Sequence, residues 1–234
     1  MPSREVPHMN PIASRAGLPV FSSTFLLSVA WPSQLPPPEG PGIIGMAGRS
    51  NVGKSSLINR LAGKAKLARI GKRPGATTLP NLYRIESGGY FLDFPGYGYM
   101  NRSQNTQKTS QDVSTSLIES RSDLELILLC IDIRRDCLPM DQDAARWFLS
   151  RNIPLMLVLT KIDELSKNKR SLQIQQWKEW IRSEGGNGVL GLYPVSARTG
   201  EGIPELAGPL RECLYKTPVR GHPGGLNAEE YRRG

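Results

Sequence analysis

Short apolar segments alternate with amphipathic ones between residues 41 and 214. The apolar segments are almost continuously hydrophobic, which is typical of strands that are buried on both faces of a sheet. Most are followed by a segment in which apolar residues recur every three or four positions, as they do in an amphipathic helix. Examples are the strands GIIGMA, LELILLCIDI and PLMLVLT and the helices SSLINRLAG and SLQIQQWKEWIRS. This alternation predicts an α/β fold of repeated βα units, with a mostly parallel central sheet and helices on both faces.

The two ends of the chain break the alternation. Prolines recur through residues 1–40, and we expect an irregular N-terminal arm there, with at most one short apolar element. Residues 215–234 are polar and rich in glycine and proline, which predicts a flexible C-terminal tail. One large domain over residues 41–214 fits the chain length of 234 residues.

The segment LPVFSSTFLLSVAW, at residues 18–31, is the candidate for a targeting signal. It is shorter than the ~18 apolar residues that span a membrane, and Pro32 follows it instead of a small-residue cleavage site. We therefore expect no membrane partner and a cytoplasmic location. An organellar transit peptide stays an alternative, because the arm before Pro32 carries arginine and serine with Glu5 as its acid. In that case the protein would lie in an organelle matrix.

Charge adds a class of partner to this picture. The chain has 30 Lys and Arg against 21 Asp and Glu, a net charge of +9, which favours polyanions such as nucleic acid. Aromatic residues make up only 7%, so phosphates rather than stacked bases are the expected contact. No acid lies between Glu39 and Glu86, whereas basic residues recur from Arg49 to Arg84. That basic run is either a solvated face or a phosphate-binding surface. Three cysteines and two histidines form no zinc-binding pattern, which predicts reduced thiols.

A phosphate-binding motif lies inside the basic run. Residues 48–55, GRSNVGKS, match G-x-x-x-x-G-K-[ST] between a predicted strand and a predicted helix. The two glycines let the backbone N–H groups converge on phosphates, Lys54 reaches the β- and γ-phosphates, and the Ser55 hydroxyl is a ligand for Mg²⁺. The motif predicts a bound nucleoside triphosphate. The expected nucleotide contacts in it are Gly48, Arg49, Ser50, Asn51, Val52, Gly53, Lys54, Ser55 and Ser56.

Two later segments identify the base as guanine. Thr160, Lys161 and Asp163 follow the strand PLMLVL in the pattern TKID. The Asp163 carboxylate can accept hydrogen bonds from guanine N1–H and the 2-amino group, and adenine lacks that pair of donors. The Lys161 stem can pack along the base. Ser196-Ala197, after the strand LYPVS, can offer a backbone N–H to guanine O6. GTP and GDP are therefore the expected ligands.

A second pair of segments predicts a switch around the γ-phosphate. Asp93 and Gly96 form D-x-x-G at the end of the strand YFLDF, where the aspartate reaches Mg²⁺ through water and the Gly96 N–H contacts the γ-phosphate. Upstream, PGATT offers Thr77 to complete the Mg²⁺ shell, with Thr78 as the alternative. These segments should order around GTP and loosen after hydrolysis. Lys54, Thr77 and Gly96 are the candidate catalytic residues, and Ser55, Thr77 and Asp93 are the candidate metal ligands.

These motifs together resemble a known family. The run GRSNVGKSSLINRL, the pattern P-G-x-T-x-x-x-N from Pro74 to Asn81 and the segment DFPGYGYM are similar to the EngB (YihA/YsxC) family of ribosome-biogenesis GTPases, in the TrmE–Era–EngA-like branch. The resemblance implies a P-loop, Ras-like GTPase that associates with the large ribosomal subunit or its precursor through rRNA phosphates. It also implies a link to cell division and septation, and we expect a monomer. Ala76 and Thr78 depart from the Arg and Gln that the family usually has.

Two residues bear on the rate of hydrolysis. Tyr97 follows Gly96, where many GTPases have a glutamine that orients the attacking water. A tyrosine cannot orient the water in that way, so we expect slow unaided turnover. Asn51 matches the residue that helps hold K⁺ in relatives such as the tRNA-modification GTPase, so K⁺ is a second candidate cofactor. The alternative for Asn51 is a turn-capping role.

Other features have structural interpretations. Arg134, in CIDIRRD, resembles the D-x-R segment of the family, and a salt bridge is its expected role. The three tryptophans on amphipathic segments should pack in the core, and these are Trp147, Trp177 and Trp180. Three rival functions stay open: a P-loop kinase, a GTPase acting on another RNA or RNA-modification complex, and an RNA-binding scaffold that ignores the nucleotide.

Overall fold

The computed structural model of the protein describes residues 20–37, 42–68, 79–97, 104–184 and 186–215. Strands are β1 Ser23–Ser28, β2 Ile43–Gly48, β3 Asn81–Ile85, β4 Tyr90–Asp93, β5 Leu124–Asp132, β6 Leu155–Thr160 and β7 Val189–Pro194. Helices are α1 Lys54–Leu61, α2 Gln104–Ser120, α3 Pro139–Leu149, α4 Lys167–Ser183 and α5 Ile203–Tyr215. Single 3₁₀ turns occupy Pro32–Gln34 and Ile162–Glu164.

The strands form one sheet in the order β1-β3-β4-β2-β5-β6-β7. β2 pairs in parallel with β4 and β5, and the parallel pairing continues through β6 to β7. β3 is antiparallel to both β1 and β4, so the antiparallel part lies at one edge. The α/β fold with a mostly parallel central sheet is thereby confirmed.

Two hydrophobic cores lie on opposite faces of the sheet, because successive side chains of a strand point to opposite faces. In β2, Ile44 and Met46 belong to the core that α1 and α5 cover, whereas Ile43 and Ala47 belong to the core that α3 and α4 cover. Trp177 and Trp180 are buried in that second core and Trp147 packs against it, which confirms their predicted packing role.

The N-terminal segment differs from the expected irregular arm. β1 pairs with β3 at the edge of the sheet, with Phe25 opposite Tyr83. Phe21 is buried in one core and Val29 in the other. The folded part of the chain therefore starts before residue 41. Serines begin and end β1 and prolines flank it, so its local pattern is weak. Its place depends on β3, more than 50 residues away in sequence. Residues 1–19 and 216–234 lie outside the described residues.

The three cysteines are free thiols, as predicted. Cys130 is buried at the end of β5, and this burial raises the pKa of its thiol to about 12 even though Lys54 opposes the shift. Among the described helices, none is both long enough and apolar enough to cross a bilayer.

Candidate functional site

The phosphate-binding loop connects the end of β2 to the start of α1. Gly48 has φ of 150°, and a Cβ there would lie 2.5 Å from the backbone oxygen of Cys130 on the neighbouring strand. Gly53 has φ of 113° directly before α1, a conformation that residues with a side chain rarely adopt. Asn51, between them, is in the left-handed region with φ of 63°. Both motif glycines are therefore required, Gly48 mainly by space and Gly53 by backbone conformation.

Lys54 points back over this loop. Its Nζ lies 3.1 Å from the Gly48 carbonyl oxygen and 3.5 Å from that of Arg49, and the residue is largely buried. Ser55 and Ser56 follow in the first turn of α1, where both are half-buried. The ammonium and the N-terminal end of α1 thus converge on the inside of the loop, an arrangement suited to phosphate.

Asp93 lies at the carboxyl end of β4, next to Met46 of β2. The residue is 3% exposed, and its Oδ1 has no hydrogen-bond partner among the described residues. Burial raises the pKa of this carboxyl to about 6, although the ammonium of Lys54 acts in the opposite direction. An unpartnered buried carboxylate oxygen beside the phosphate-binding lysine fits a hydrated Mg²⁺, which retains several waters and binds few protein groups.

Ser55 is the other predicted Mg²⁺ ligand within the described residues. The described residues contain no cluster of three His, Cys, Asp or Glu side chains that would enclose a metal by themselves. The Ser55 hydroxyl, Asp93 through water and the phosphates of a nucleotide would form a donor set of the kind that Mg²⁺ prefers. Thr77, its alternative Thr78 and Ala76 lie outside the described residues.

The D-x-x-G segment continues from β4 along the phosphate-binding loop. The Phe94 N–H donates to the Met46 carbonyl at 2.9 Å, and Arg49 and Tyr97 form an isolated parallel bridge. A Cβ on Gly96 would lie 2.6 Å from the Ser50 Oγ and 2.7 Å from the Ser50 nitrogen. Only glycine fits at this approach, so the backbone of Gly96 lies directly against the loop.

The Tyr97 side chain turns toward α3. Its hydroxyl donates to Oδ1 of Asp141 at 3.0 Å. Burial and the neighbouring Asp141 carboxylate raise the pKa of the Tyr97 phenol well above its ordinary value. Burial likewise raises the pKa of Asp141, while the hydrogen bond from Tyr97 opposes that shift. The sequence predicted that Tyr97 does not orient water, and the structure shows its hydroxyl engaged elsewhere.

The TKID segment is fastened to the phosphate-binding loop at two points. The Thr160 hydroxyl lies 2.5 Å from the Val52 carbonyl oxygen, and Nζ of Lys161 donates to the Asn51 carbonyl at 2.7 Å. Lys161 itself has φ of 63°, in the left-handed region. The segments that were assigned to phosphate and to base therefore lie side by side, as the motif assignment requires.

A charged network holds Lys161 in place. Its Nζ also donates to Oδ2 of Asp132 at 2.8 Å, and Arg134 donates to both carboxylate oxygens of Asp132 at 2.9 and 2.7 Å. Arg134 also pairs with Glu164 at 2.6 Å, which confirms its predicted salt-bridge role. Burial by itself would raise the pKa of Asp132, but the hydrogen bonds from Arg134 and Lys161 lower it to about 2.

Sequence reasoning did not identify Asp132 as the anchor of Lys161. The available signal was its position as a carboxylate at the carboxyl end of β5, next to β6, which leads into TKID. Polar side chains at the carboxyl ends of neighbouring parallel strands gather at one edge of the sheet.

Asp163 is held by two groups from the loop after β7. Nε of Arg198 donates to its Oδ2 at 2.7 Å, and the side chain of Asp163 is 8% exposed. Burial tends to raise the pKa of Asp163, but hydrogen bonds from Ser196 and Arg198 lower it overall. Arg198, which sequence reasoning did not single out, directly follows the predicted Ser196-Ala197 pair.

The structure corrects the expected role of Ser196. Its backbone N–H donates to the Glu201 carbonyl at 2.9 Å and is therefore not available to guanine O6. Its hydroxyl oxygen accepts the Thr199 N–H at 3.0 Å while the hydroxyl bonds Asp163. Ala197 is left as the member of the pair whose N–H has no partner among the described residues. Ser196 thus helps to keep Asp163 ionised, and Ala197 is the candidate for O6.

Comparison with known proteins agrees with this geometry. Residues 43–161 match the family described as 50S ribosome-binding GTPase. A probable GTP-binding protein EngB of Desulfatibacillum aliphaticivorans is 38% identical over 187 residues, which cover 80% of this chain and 89% of the relative. The corresponding protein of Thermotoga petrophila is 38% identical over 178 residues, covering 75% and 87%.

Solved structures extend the similarity to the fold. A crystal structure of a probable GTP-binding protein EngB has a TM-score of 0.58 at 26% identity, covering 74% of this chain and 98% of that one. Era, crystallised with MgGDPNP and nucleotides 1506–1542 of 16S ribosomal RNA, has a TM-score of 0.63 at 25% identity, covering 79% of this chain and 59% of Era. The chain therefore belongs to the 50S ribosome-binding GTPase family, groups there with the EngB GTP-binding proteins, and is a GTPase.

Proposed function

We propose that this protein is a GTP-hydrolysing switch that binds the large ribosomal subunit, or its precursor, in one nucleotide state and leaves it in the other. The observation that carries this proposal is the family match over residues 43–161, which spans the phosphate-binding loop and D-x-x-G and ends inside TKID, at Lys161. The close approach of Gly96 to that loop supports the switch, because this contact is where a γ-phosphate would be sensed.

Each part of the nucleotide has a proposed partner. The loop from Gly48 to Ser56 and the ammonium of Lys54 bind the phosphates, and Asp163, oriented by Ser196, reads the guanine. Ser55 and Asp93 would hold Mg²⁺, together with Thr77. When bound, this ion neutralises charge that builds up on the phosphates during hydrolysis. K⁺ bound with the help of Asn51 stays a prediction, and the side chain of Asn51 is exposed.

The chain's own residues explain a slow reaction. Lys54 and the N-terminal end of α1 place positive charge where the transferred phosphoryl group becomes more negative. The Gly96 N–H is the further donor that we propose for that group. Tyr97, however, donates its hydroxyl to Asp141 and orients no water. We therefore propose that the missing group comes from a bound cation or from the ribosomal partner.

The basic surface supports an RNA partner. Arg60, Lys64, Lys66 and Arg84 are exposed, and Nζ of Lys64 donates to the Ser23 carbonyl of edge strand β1 at 2.8 Å. Era, a structural neighbour, was crystallised with ribosomal RNA. Arg69, Lys72 and Arg73 belong to the same basic run and lie outside the described residues. The cytoplasmic location, the monomeric state and the role in cell division stay predictions.

Sedimentation with ribosomal subunits tests the proposal. We expect the protein to cosediment with large subunits or their precursors, with at least severalfold different retention in GDP and in a non-hydrolysable GTP analogue. Equal retention in both states would favour the nucleotide-insensitive scaffold. Retention by another RNA alone would favour a different RNA complex. Phosphorylation of a small acceptor would indicate the kinase alternative.

A further inference from the structure

Asp141 is a buried carboxylate outside the predicted nucleotide site. It lies in the first turn of α3 and is 2% exposed. The side chain that donates to it, among the described residues, is Tyr97, at 3.0 Å. Arg49 and Arg135 add favourable charge but form no hydrogen bond with it in this part of the chain. The Tyr97 hydroxyl is therefore the donor on which this carboxylate depends.

Tyr97 is also constrained by its backbone. It bridges Arg49 in the phosphate-binding loop, and the preceding residue, Gly96, lies against Ser50 of the same loop. One peptide bond separates Gly96 from Tyr97, so anchoring the Tyr97 ring on α3 also fixes the direction of the Gly96 backbone. The hydrogen bond thus spans 44 residues of sequence and connects D-x-x-G to α3.

Moving D-x-x-G away from the loop would break this connection. A buried carboxylate that loses its donor is costly, because its charge is then left without a hydrogen-bond partner away from water. The hydrogen bond therefore stabilises the arrangement in which Gly96 contacts the loop. A ligand that contacts Gly96 in this position therefore binds more tightly because of the hydrogen bond. A ligand that does not contact Gly96 binds with unchanged affinity.

We propose that Tyr97 and Asp141 are positioning residues that hold Gly96 at the phosphate-binding loop and thereby favour GTP over GDP. This inference rests on the proposed contact between the Gly96 N–H and the γ-phosphate. It gives the tyrosine of D-x-x-G-Y a role in place of water orientation. The residue acts through Gly96 and does not touch the reacting atoms.

Affinities for a fluorescent GDP and a non-hydrolysable GTP analogue test the proposal. Tyr97→Phe removes only the hydroxyl, and we expect about tenfold weaker binding of the analogue with GDP binding within twofold of wild type. Asp141→Asn keeps an acceptor for the Tyr97 hydroxyl and should retain most of the preference. Tyr193→Phe, which removes a hydroxyl from β7, serves as the matched control and should leave both affinities unchanged.

A double variant separates positioning from stability. Tyr97→Phe leaves a buried carboxylate without its donor and should lower the melting temperature. Tyr97→Phe with Asp141→Leu removes both polar groups, so we expect stability to recover because two apolar partners leave nothing unsatisfied. The preference for the GTP analogue should stay lost. A wild-type affinity ratio in the double variant, or equal weakening of both nucleotides in Tyr97→Phe, would overturn the proposal.

One further variant tests the contact on which the inference depends. Gly96→Ala places a methyl against Ser50 and should weaken the GTP analogue more than GDP. Unchanged affinities would remove the γ-phosphate role of Gly96, and the inference with it. All of these titrations use nucleotide and protein alone. A failure to bind ribosomal subunits would therefore refute the proposed cellular function without affecting the result at Tyr97.

Discussion

At the scale of single residues, the carboxylate that we propose to read the base shows how neighbours prepare a side chain for its ligand. Asp163 is little exposed, and hydrogen bonds from Ser196 and Arg198 keep its pKa below the ordinary value. It is therefore ionised at neutral pH and can act as an acceptor. Guanine offers two adjacent donors to such a carboxylate. An N–H donor in place of the carboxylate would face these guanine donors and could not bond them.

Asp163→Asn should weaken GTP binding by at least about 2 kcal/mol and shift the preference toward xanthosine nucleotides. Direct titration with GTP and XTP measures both effects. Glu164→Gln, at the next residue, is the matched control and should keep the preference for GTP. GTP affinity in Asp163→Asn equal to that of wild type would exclude Asp163 from the site.

The residue scale also includes the predicted cation site at Asn51. Turnover should be severalfold faster in K⁺ than in Na⁺, because Tyr97 supplies no group that orients water. Asn51→Ala should remove the difference between the two salts. The measurement is phosphate release under saturating GTP at equal ionic strength. Identical turnover of the wild type in both salts would contradict the cation prediction.

At the scale of elements, the end of β5, the TKID turn and the phosphate-binding loop form one rigid connection. Asp132 lies at its centre, because it accepts hydrogen bonds from Arg134 on one side and Lys161 on the other. Lys161 then reaches the Asn51 carbonyl. Arg134 belongs neither to the TKID turn nor to the phosphate-binding loop. A substitution of Arg134 should nevertheless alter how these two segments are held.

Arg134→Met should lower stability and make the protein more sensitive to acid. The pKa of Asp132, about 2, lies below its ordinary value of 3.8, so its contribution is present above about pH 4 and lost as pH falls toward 2. That contribution is about 2 kcal/mol. Without Arg134 only Lys161 opposes the effect of burial, so the pKa of Asp132 rises and acid unfolding should shift to higher pH.

Circular dichroism across an acid titration measures this shift. Arg135→Met, at the exposed neighbouring position, removes the same charge without touching Asp132 and should unfold with the wild type. An acid transition that is the same in both variants would show that the contacts of Arg134 with Asp132 contribute no stability.

At the scale of the whole molecule, the net charge of +9 should govern association with RNA, because 30 basic residues outnumber 21 acidic ones. Phosphate contacts release counterions, so affinity falls linearly with salt on a double logarithmic scale. Two described cations of the basic run lie at the edge of the sheet where β1 and β3 pair: Arg84 is part of β3, and Lys64 donates to the Ser23 carbonyl of β1. A basic face that is only solvated would release no counterions on binding and would not contribute to the salt dependence.

Lys64→Ala, Lys66→Ala and Arg69→Ala combined should reduce the slope of subunit binding against KCl concentration by up to about 1 for each residue. This reduction in slope should also differ between the GDP and the GTP-analogue states, because the basic run adjoins the predicted switch. Lys178→Ala, an exposed lysine on α4, is the control. Equal slopes in the triple variant and the wild type would show that the basic run is a solvated face that does not contact phosphates.

The sequence by itself determined the features that are local or continuous along the chain. The phosphate-binding loop was predictable because its glycines, lysine and serine act within eight consecutive residues. β2, β5 and β6 were predictable because strands covered on both faces are continuously apolar. β1, β3 and α2 were not predicted, since β1 and β3 mix polar with apolar residues and α2 is largely polar.

The tertiary structure alone decided which distant groups meet at the site. Tyr97 reaches Asp141 across 44 residues, and Arg198 reaches Asp163 across 35. The use of the Ser196 N–H by Glu201 also depends on how the loop after β7 closes. No local pattern encodes these pairs. Hydrogen bonds form only where packing brings donor and acceptor within about 3 Å, and that packing is set by the order of strands in the sheet.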